Sequence, residues 1–264
     1  MTSVATYSPS LSPPIHRAPS KVLQLLEVRA ITELGASLAL LPLLRRAPRG
    51  DGHPVLVLPG LLASDVSTKP LRSYLADRGY DVHGWGLGHN LGLRHGVEAK
   101  MGARLRQIHR ESGRKVSIVG WSLGGVFARE IASAAPEAVR SVITLGSPIR
   151  GNPRSTNAWR VYELASGQSV DDPKLRRPRD AAPPVPTTSI YSRSDGIVAW
   201  QCSVEPETDL TESIEVVGSH CGLGVNASVL YAVADRLAQP EGGWKHFDRS
   251  GLKGWIFPDP NRHG

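Results

Sequence analysis

Short apolar runs alternate with stretches of helical periodicity across residues 53–238. Residues 54–58 (PVLVL), 116–119 (VSIV), 141–145 (SVITL), 187–191 (TTSIY) and 213–217 (SIEVV) predict buried strands, with a less apolar one over 81–85. Between them, 69–78, the row Val97, Met101, Leu105 and Ile108, 123–135 and 225–237 predict helices. Strand-helix alternation of this kind predicts an α/β protein with a mostly parallel, doubly wound sheet and helices on both faces. Residues 150–186 break the rhythm with charges and prolines and read as a lid-like or substrate-binding insertion.

Upstream, 21–44 is apolar and helix-like, interrupted by Glu27, Arg29 and Glu33, and its uncharged run over 34–44 is too short to span a bilayer. Its apolar positions are expected to pack on the domain. The other reading is an amphipathic patch touching lipid or an acyl substrate, with Arg45 and Arg46 at the headgroups. The chain thus divides into an N-terminal tail and helix (1–52), a core (53–238, with the insertion at about 150–186) and a Gly- and Pro-rich C-terminal tail (239–264). Residues 2–19 lack the features of a secretory signal, so a cytoplasmic location is expected, with peripheral membrane contact as the alternative.

With 264 residues, 40% hydrophobic and 21% charged, the chain can bury a substantial core, which excludes a disordered polyelectrolyte and a disulfide-built mini-protein. The net charge of +7 permits attraction to anionic partners. Much of it lies in 45–49 and in 94–115, where it alternates with apolar residues as on a solvated helix face. No nucleic-acid signature accompanies it, and no nucleic-acid partner is expected. Two cysteines, Cys202 and Cys221, make no zinc site by themselves and leave either two free thiols or one bridge. Oligomeric state is not legible.

The string Gly120-Trp121-Ser122-Leu123-Gly124-Gly125 sits between a predicted strand and a predicted helix. A turn that projects a strained serine needs small neighbours two residues away, as Gly120 and Gly124 are. A serine hydroxyl attacks only when a base takes its proton, and that base needs a carboxylate to fix its tautomer. In a doubly wound sheet such groups collect at the carboxyl ends of strands. Asp195 follows 187–191 and His220 follows 213–217, in the order Ser, Asp, His. His89 and His95 also flank a loop on that side, but they precede Ser122. Asp171, Asp172 and Asp180 lie in the insertion, where an orienting carboxylate is poorly held. The backbone N–H groups of Leu61 and Leu123 are the candidate oxyanion donors. This chemistry requires no metal and no cofactor.

On Leu58-Pro59-Gly60-Leu61-Leu62, the Ser122 string, Leu145-Gly146-Ser147-Pro148, Ser194-Asp195-Gly196-Ile197-Val198 and Gly218-Ser219-His220, the chain resembles the α/β-hydrolase superfamily, in particular its bacterial esterase/triacylglycerol lipase group. The resemblance covers roughly residues 54–237. It implies a nucleophile at Ser122, an acid at Asp195, a base at His220 and an oxyanion hole at Leu61 and Leu123. Pro59 departs from the histidine common in lipases of that group. Some relatives tie the acid and histidine loops by a disulfide, which implies a Cys202–Cys221 bridge here. The function expected is serine-dependent hydrolysis of a small-molecule or lipid ester. Acyl transfer on the same fold, and noncatalytic binding to a lipid surface through 21–49, are the alternatives. Trp159, Tyr162, Leu164 and Val170 are candidates for an acyl pocket.

Overall fold

In the computed structural model, which describes residues 16–94, 96–172 and 181–260, the apolar runs become six strands. They are β1 (Pro54–Leu58), β2 (Asp81–Gly84), β3 (Val116–Trp121), β4 (Val139–Leu145), β5 (Thr187–Tyr191) and β6 (Thr211–Glu215). They form one sheet in the order β2-β1-β3-β4-β5-β6, with every neighbouring pair parallel. Around it run α1 (Lys21–Leu25), α2 (Ala30–Ala39), α3 (Leu41–Leu44), α4 (Lys69–Asp77), α5 (Val97–Ser112), α6 (Leu123–Ala134), α7 (Trp159–Ser166), α8 (Ala227–Leu237) and α9 (Lys253–Ile256).

Strand periodicity distributes the core to two faces. From β1, Val55 and Val57 join Leu71 and Leu75 of α4 and Val229 and Val233 of α8 on one side. Leu56 and Leu58 join Met101 and Leu105 of α5 and Phe127 and Ile131 of α6 on the other. Strand order reverses between β1 and β3, which opens a crevice at their carboxyl ends, the place where sheets of this type collect their chemistry.

Several features depart from the sequence pattern. First, β6 begins and ends two residues before the predicted 213–217. The charge of Glu212 masked it: that side chain is buried, paired with Arg236 at 2.9 Å, and accepts from Thr188 Oγ1 at 3.0 Å and the Phe247 N–H at 2.7 Å. A buried carboxylate is tolerable only with such partners. Second, residues after Gln239 reach back into the core, because Phe247 and Phe257 are buried and pack edge-on at 4.8 Å. Third, most apolar positions of the N-terminal helices are not packed on the domain as expected, although Leu44 at the end of α3 is buried in the core. Val22, Leu25, Val28, Ile31, Leu38 and Leu43 are each between 58% and 77% exposed, whereas Glu27 and Ser37 are buried. The polar face turns inward because it meets backbone donors and acceptors of the loops beneath it, described below.

Within the insertion, a short 3-10 turn (Pro153–Ser155) leads into α7. Its Leu164 is 88% exposed, while Val170 is buried. Residues 173–180, including Asp180, lie outside the described residues, as do His95 and His263. Among the described residues no helix is long and apolar enough to cross a membrane.

Candidate active site

Ser122 stands between β3 and α6 with φ 54° and ψ −121°, a backbone conformation costing a non-glycine residue about 1–3 kcal/mol. Its N–H donates to the Leu145 carbonyl on β4 at 2.8 Å, which fixes the turn to the sheet. The surrounding glycines are required by close approach. A Cβ on Gly120 would strike the Gly124 carbonyl and the Gly125 Cα, and one on Gly124 would strike the carbonyls of Leu58 and Pro59. The short path of the chain at both positions leaves the serine hydroxyl projecting into the crevice.

The loops after β5 and β6 bring two more side chains to the same place. His220 Nε2 lies 3.0 Å from Ser122 Oγ, and His220 Nδ1 lies 2.7 Å from Asp195 Oδ2. Asp195 Oδ1 accepts from the N–H groups of Ile197 and Val198, each at 2.8 Å, so the second oxygen is left for the imidazole. Both Asp195 and His220 are buried. Burial alone would lower the imidazole pKa, but the negative charge of Asp195, its hydrogen bond and the more distant charge of Glu27 hold it above the ordinary histidine value. The structure therefore brings together the three residues that the sequence singled out, in a relay from hydroxyl to imidazole to carboxylate.

The candidate oxyanion donors belong to the residue after Ser122 and to the residue after Gly60. Leu123 is the first residue of α6, so its N–H has no partner within the helix and sits at the positive end of the helix dipole. Gly60 abuts the serine, since a Cβ placed on it would lie 3.3 Å from Ser122 Cβ, and Leu61 is the next residue in the chain. The loop is pinned by Asn90, which is fully buried: its Nδ2 donates to the Pro59 carbonyl at 2.8 Å, and its own carbonyl accepts from the Leu62 N–H at 2.7 Å.

Several residues have roles in the site that sequence reasoning did not assign to them. Asn90 is one. Trp121 is another, its Nε1 donating to the His220 carbonyl at 3.1 Å. Gly146, with φ 55°, is a third: a Cβ there would come within 3.1 Å of both Asp195 Oδ2 and His220 Nδ1. The glycine after β4 was legible as a strand end, but not as the space that the acid and base occupy.

Other candidates fall elsewhere. His89 Nδ1 lies 3.0 Å from the Leu62 carbonyl, and Asp171 pairs with Arg154. The Cys202–Cys221 bridge is not formed: both thiols are free, Cys202 buried beside Val198 and Ala199, Cys221 exposed. The two loops are tied instead by a carboxylate, Glu27, which reaches both.

A family model described as the alpha/beta hydrolase fold matches residues 53–171. No curated protein matches the chain by sequence. Among solved structures, lipase B of Aspergillus fumigatus superposes with a TM-score of 0.57 at 20% identity, over 73% of this chain and 54% of that one. The chain thus spans about half the length of that lipase. The mature form of Bacillus licheniformis lipase BlEst2 gives 0.52 at 17% identity, over 71% of this chain and 92% of that one. At these identities the likeness is one of fold.

Proposed function

We infer that this chain, a member of the α/β-hydrolase superfamily, hydrolyses carboxylic esters through an acyl-enzyme on Ser122. The observation that carries the reading is the unbroken relay of 3.0 Å and 2.7 Å from Ser122 Oγ through His220 to Asp195. In acylation Ser122 Oγ attacks the acyl carbon while its proton passes to His220 Nε2. The oxyanion is held by the N–H groups of Leu61 and Leu123, each contributing about 3–4 kcal/mol to the transition state. Collapse breaks the ester bond, and the leaving alkoxide takes the proton from His220 Nε2. Water then attacks the acyl-enzyme, its proton moving to His220 and on to Ser122 Oγ as the carboxylic acid departs. Asp195 holds the Nδ1–H tautomer throughout.

A fluorophosphonate reagent followed by tryptic mapping tests this directly, because only an activated hydroxyl forms the adduct. The modification is expected on the peptide containing Ser122. An adduct on a different serine, or none, removes the assignment.

The exposed apolar row from Val22 to Leu43 favours an ester presented at a lipid surface. The row lies over the loop that bears Asp195, since a Cβ on Gly196 would strike the Leu23 carbonyl. Lys21, Arg45, Arg46 and Arg49 are exposed on the same segment and its continuation, which matches an anionic headgroup. The protein is expected to sediment with vesicles containing phosphatidylglycerol, and Ile31→Asp with Leu38→Asp to stay in the supernatant. Equal sedimentation of parent and double variant would remove the lipid-surface reading and leave the ester chemistry untouched.

A further inference from the structure

The match to the family model begins at residue 53, yet charged side chains from the segment before it reach the loops of the candidate site. Glu27 accepts from Gly196 N–H at 2.8 Å and His220 N–H at 3.0 Å through Oε1, and from Cys221 N–H at 2.7 Å through Oε2. One carboxylate thereby spans the residue after Asp195, His220 itself and the residue after His220. Beside it, Glu33 accepts from Ser219 N–H at 2.7 Å and Asn226 Nδ2 at 3.0 Å. Arg29, 3.6 Å from Glu33, donates to the carbonyls of Ser194 at 2.6 Å and Gly218 at 3.0 Å. Both loops are thus held from outside the sheet by the same short stretch of chain.

Gly222 shows how closely the clasp fits, because a Cβ on it would run into Glu33 Oε2. Three backbone donors on one buried carboxylate favour its charged form, and they hold its pKa below the ordinary value against the opposing effect of burial. Its charge lies on the backbone side of His220, while Asp195 occupies the ring Nδ1.

We propose that Glu27 is a positioning residue for the reaction at Ser122, fixing the Asp195 and His220 loops against each other and supporting with its charge the imidazolium formed when His220 takes the serine proton. The inference rests on the assignment of Ser122, His220 and Asp195 made above. The charged or titratable groups facing His220 are Asp195 from the loop after β5, Glu27, with Arg29 and Glu33 beside it, from the N-terminal segment, and Cys221 next to it in the chain. Removing one negative charge from this set lowers the imidazole pKa, so the acid limb of reactivity must move to lower pH.

The test measures the second-order rate of Ser122 labelling by a fluorophosphonate across pH, a readout that needs no knowledge of the natural ester. In Glu27→Gln, which keeps the size of the side chain and loses its charge, the plateau rate is expected to fall about tenfold and the acid limb to shift to lower pH. Glu27→Asp keeps the charge but falls short of the three amides. It is expected to keep the limb near that of the parent and lose plateau rate, and as the milder change it serves if the first variant does not fold. A limb unmoved in folded Glu27→Gln, or a parental plateau in Glu27→Asp, overturns the proposal even while the parent labels at Ser122. Labelling of the parent at another residue removes the triad assignment instead, and this inference with it.

Discussion

Ser122→Ala is expected to lower kcat/KM for p-nitrophenyl acyl esters by about 10⁴–10⁶-fold while leaving the thermal midpoint near that of the parent. The size of the effect follows from the route: without Oγ there is no acyl-enzyme, and what remains is water attack in a site that still offers oxyanion donors. The small effect on folding follows from the contacts. The hydroxyl bonds to His220 Nε2, whereas the turn is fixed by the Ser122 N–H to the Leu145 carbonyl at 2.8 Å, which alanine retains. Alanine adopts φ 54° at a strain close to that of serine. Residual activity within tenfold of the parent would place the nucleophile elsewhere. Ser147, close to Gly125, would be the first alternative to examine, although its Oγ is buried and turned toward the Leu145 carbonyl at 3.4 Å.

What the sequence discloses depends on whether a position is governed by local pattern or by distant partners. The strand over 54–58 is apolar throughout, that over 187–191 is apolar or β-branched except at Ser189, and both appear with the predicted bounds. β4 starts two residues before the predicted 141–145, because Arg140, buried and paired with Asp51 at 2.8 Å, hides its first residues. The same holds at the site. Ser122 is legible because a strained turn demands glycines at fixed offsets, and Asp195 and His220 because strands end just before them. Glu27 is not legible. Its partners are backbone N–H groups more than 160 residues away, which leave no trace in composition or spacing. Periodicity also points the wrong way there: the apolar side of the segment reads as the packed one, while the side carrying Glu27, Glu33 and Ser37 is the one that docks.

Asp195→Asn is the more discriminating substitution, because it preserves shape and inverts one hydrogen bond. The N–H groups of Ile197 and Val198 both donate to Oδ1 at 2.8 Å, so the amide oxygen of asparagine must take that position and its NH₂ must face His220 Nδ1. In the parent, Nδ1 donates to Oδ2 over 2.7 Å and Nε2 is free to accept the serine proton. Facing an NH₂, Nδ1 becomes the acceptor, the ring proton moves to Nε2, and the base points a donor at the hydroxyl it should deprotonate. A loss of about 10⁴-fold in kcat is expected from that tautomer alone. The pH profile supplies the second sign. Burial lowers the His220 pKa, and the charge of Asp195 is what overcomes it, so neutralising the carboxylate should drop the acid limb of kcat/KM below its position in the parent. Loss of rate together with a limb moved to lower pH identifies Asp195 as the orienting acid. A loss under tenfold with the limb in place would take that role from Asp195 without passing it to the other carboxylate near His220, Glu27, whose contact with this residue is to the backbone N–H at 3.0 Å. From there it can add charge behind the ring but cannot select the ring's tautomer.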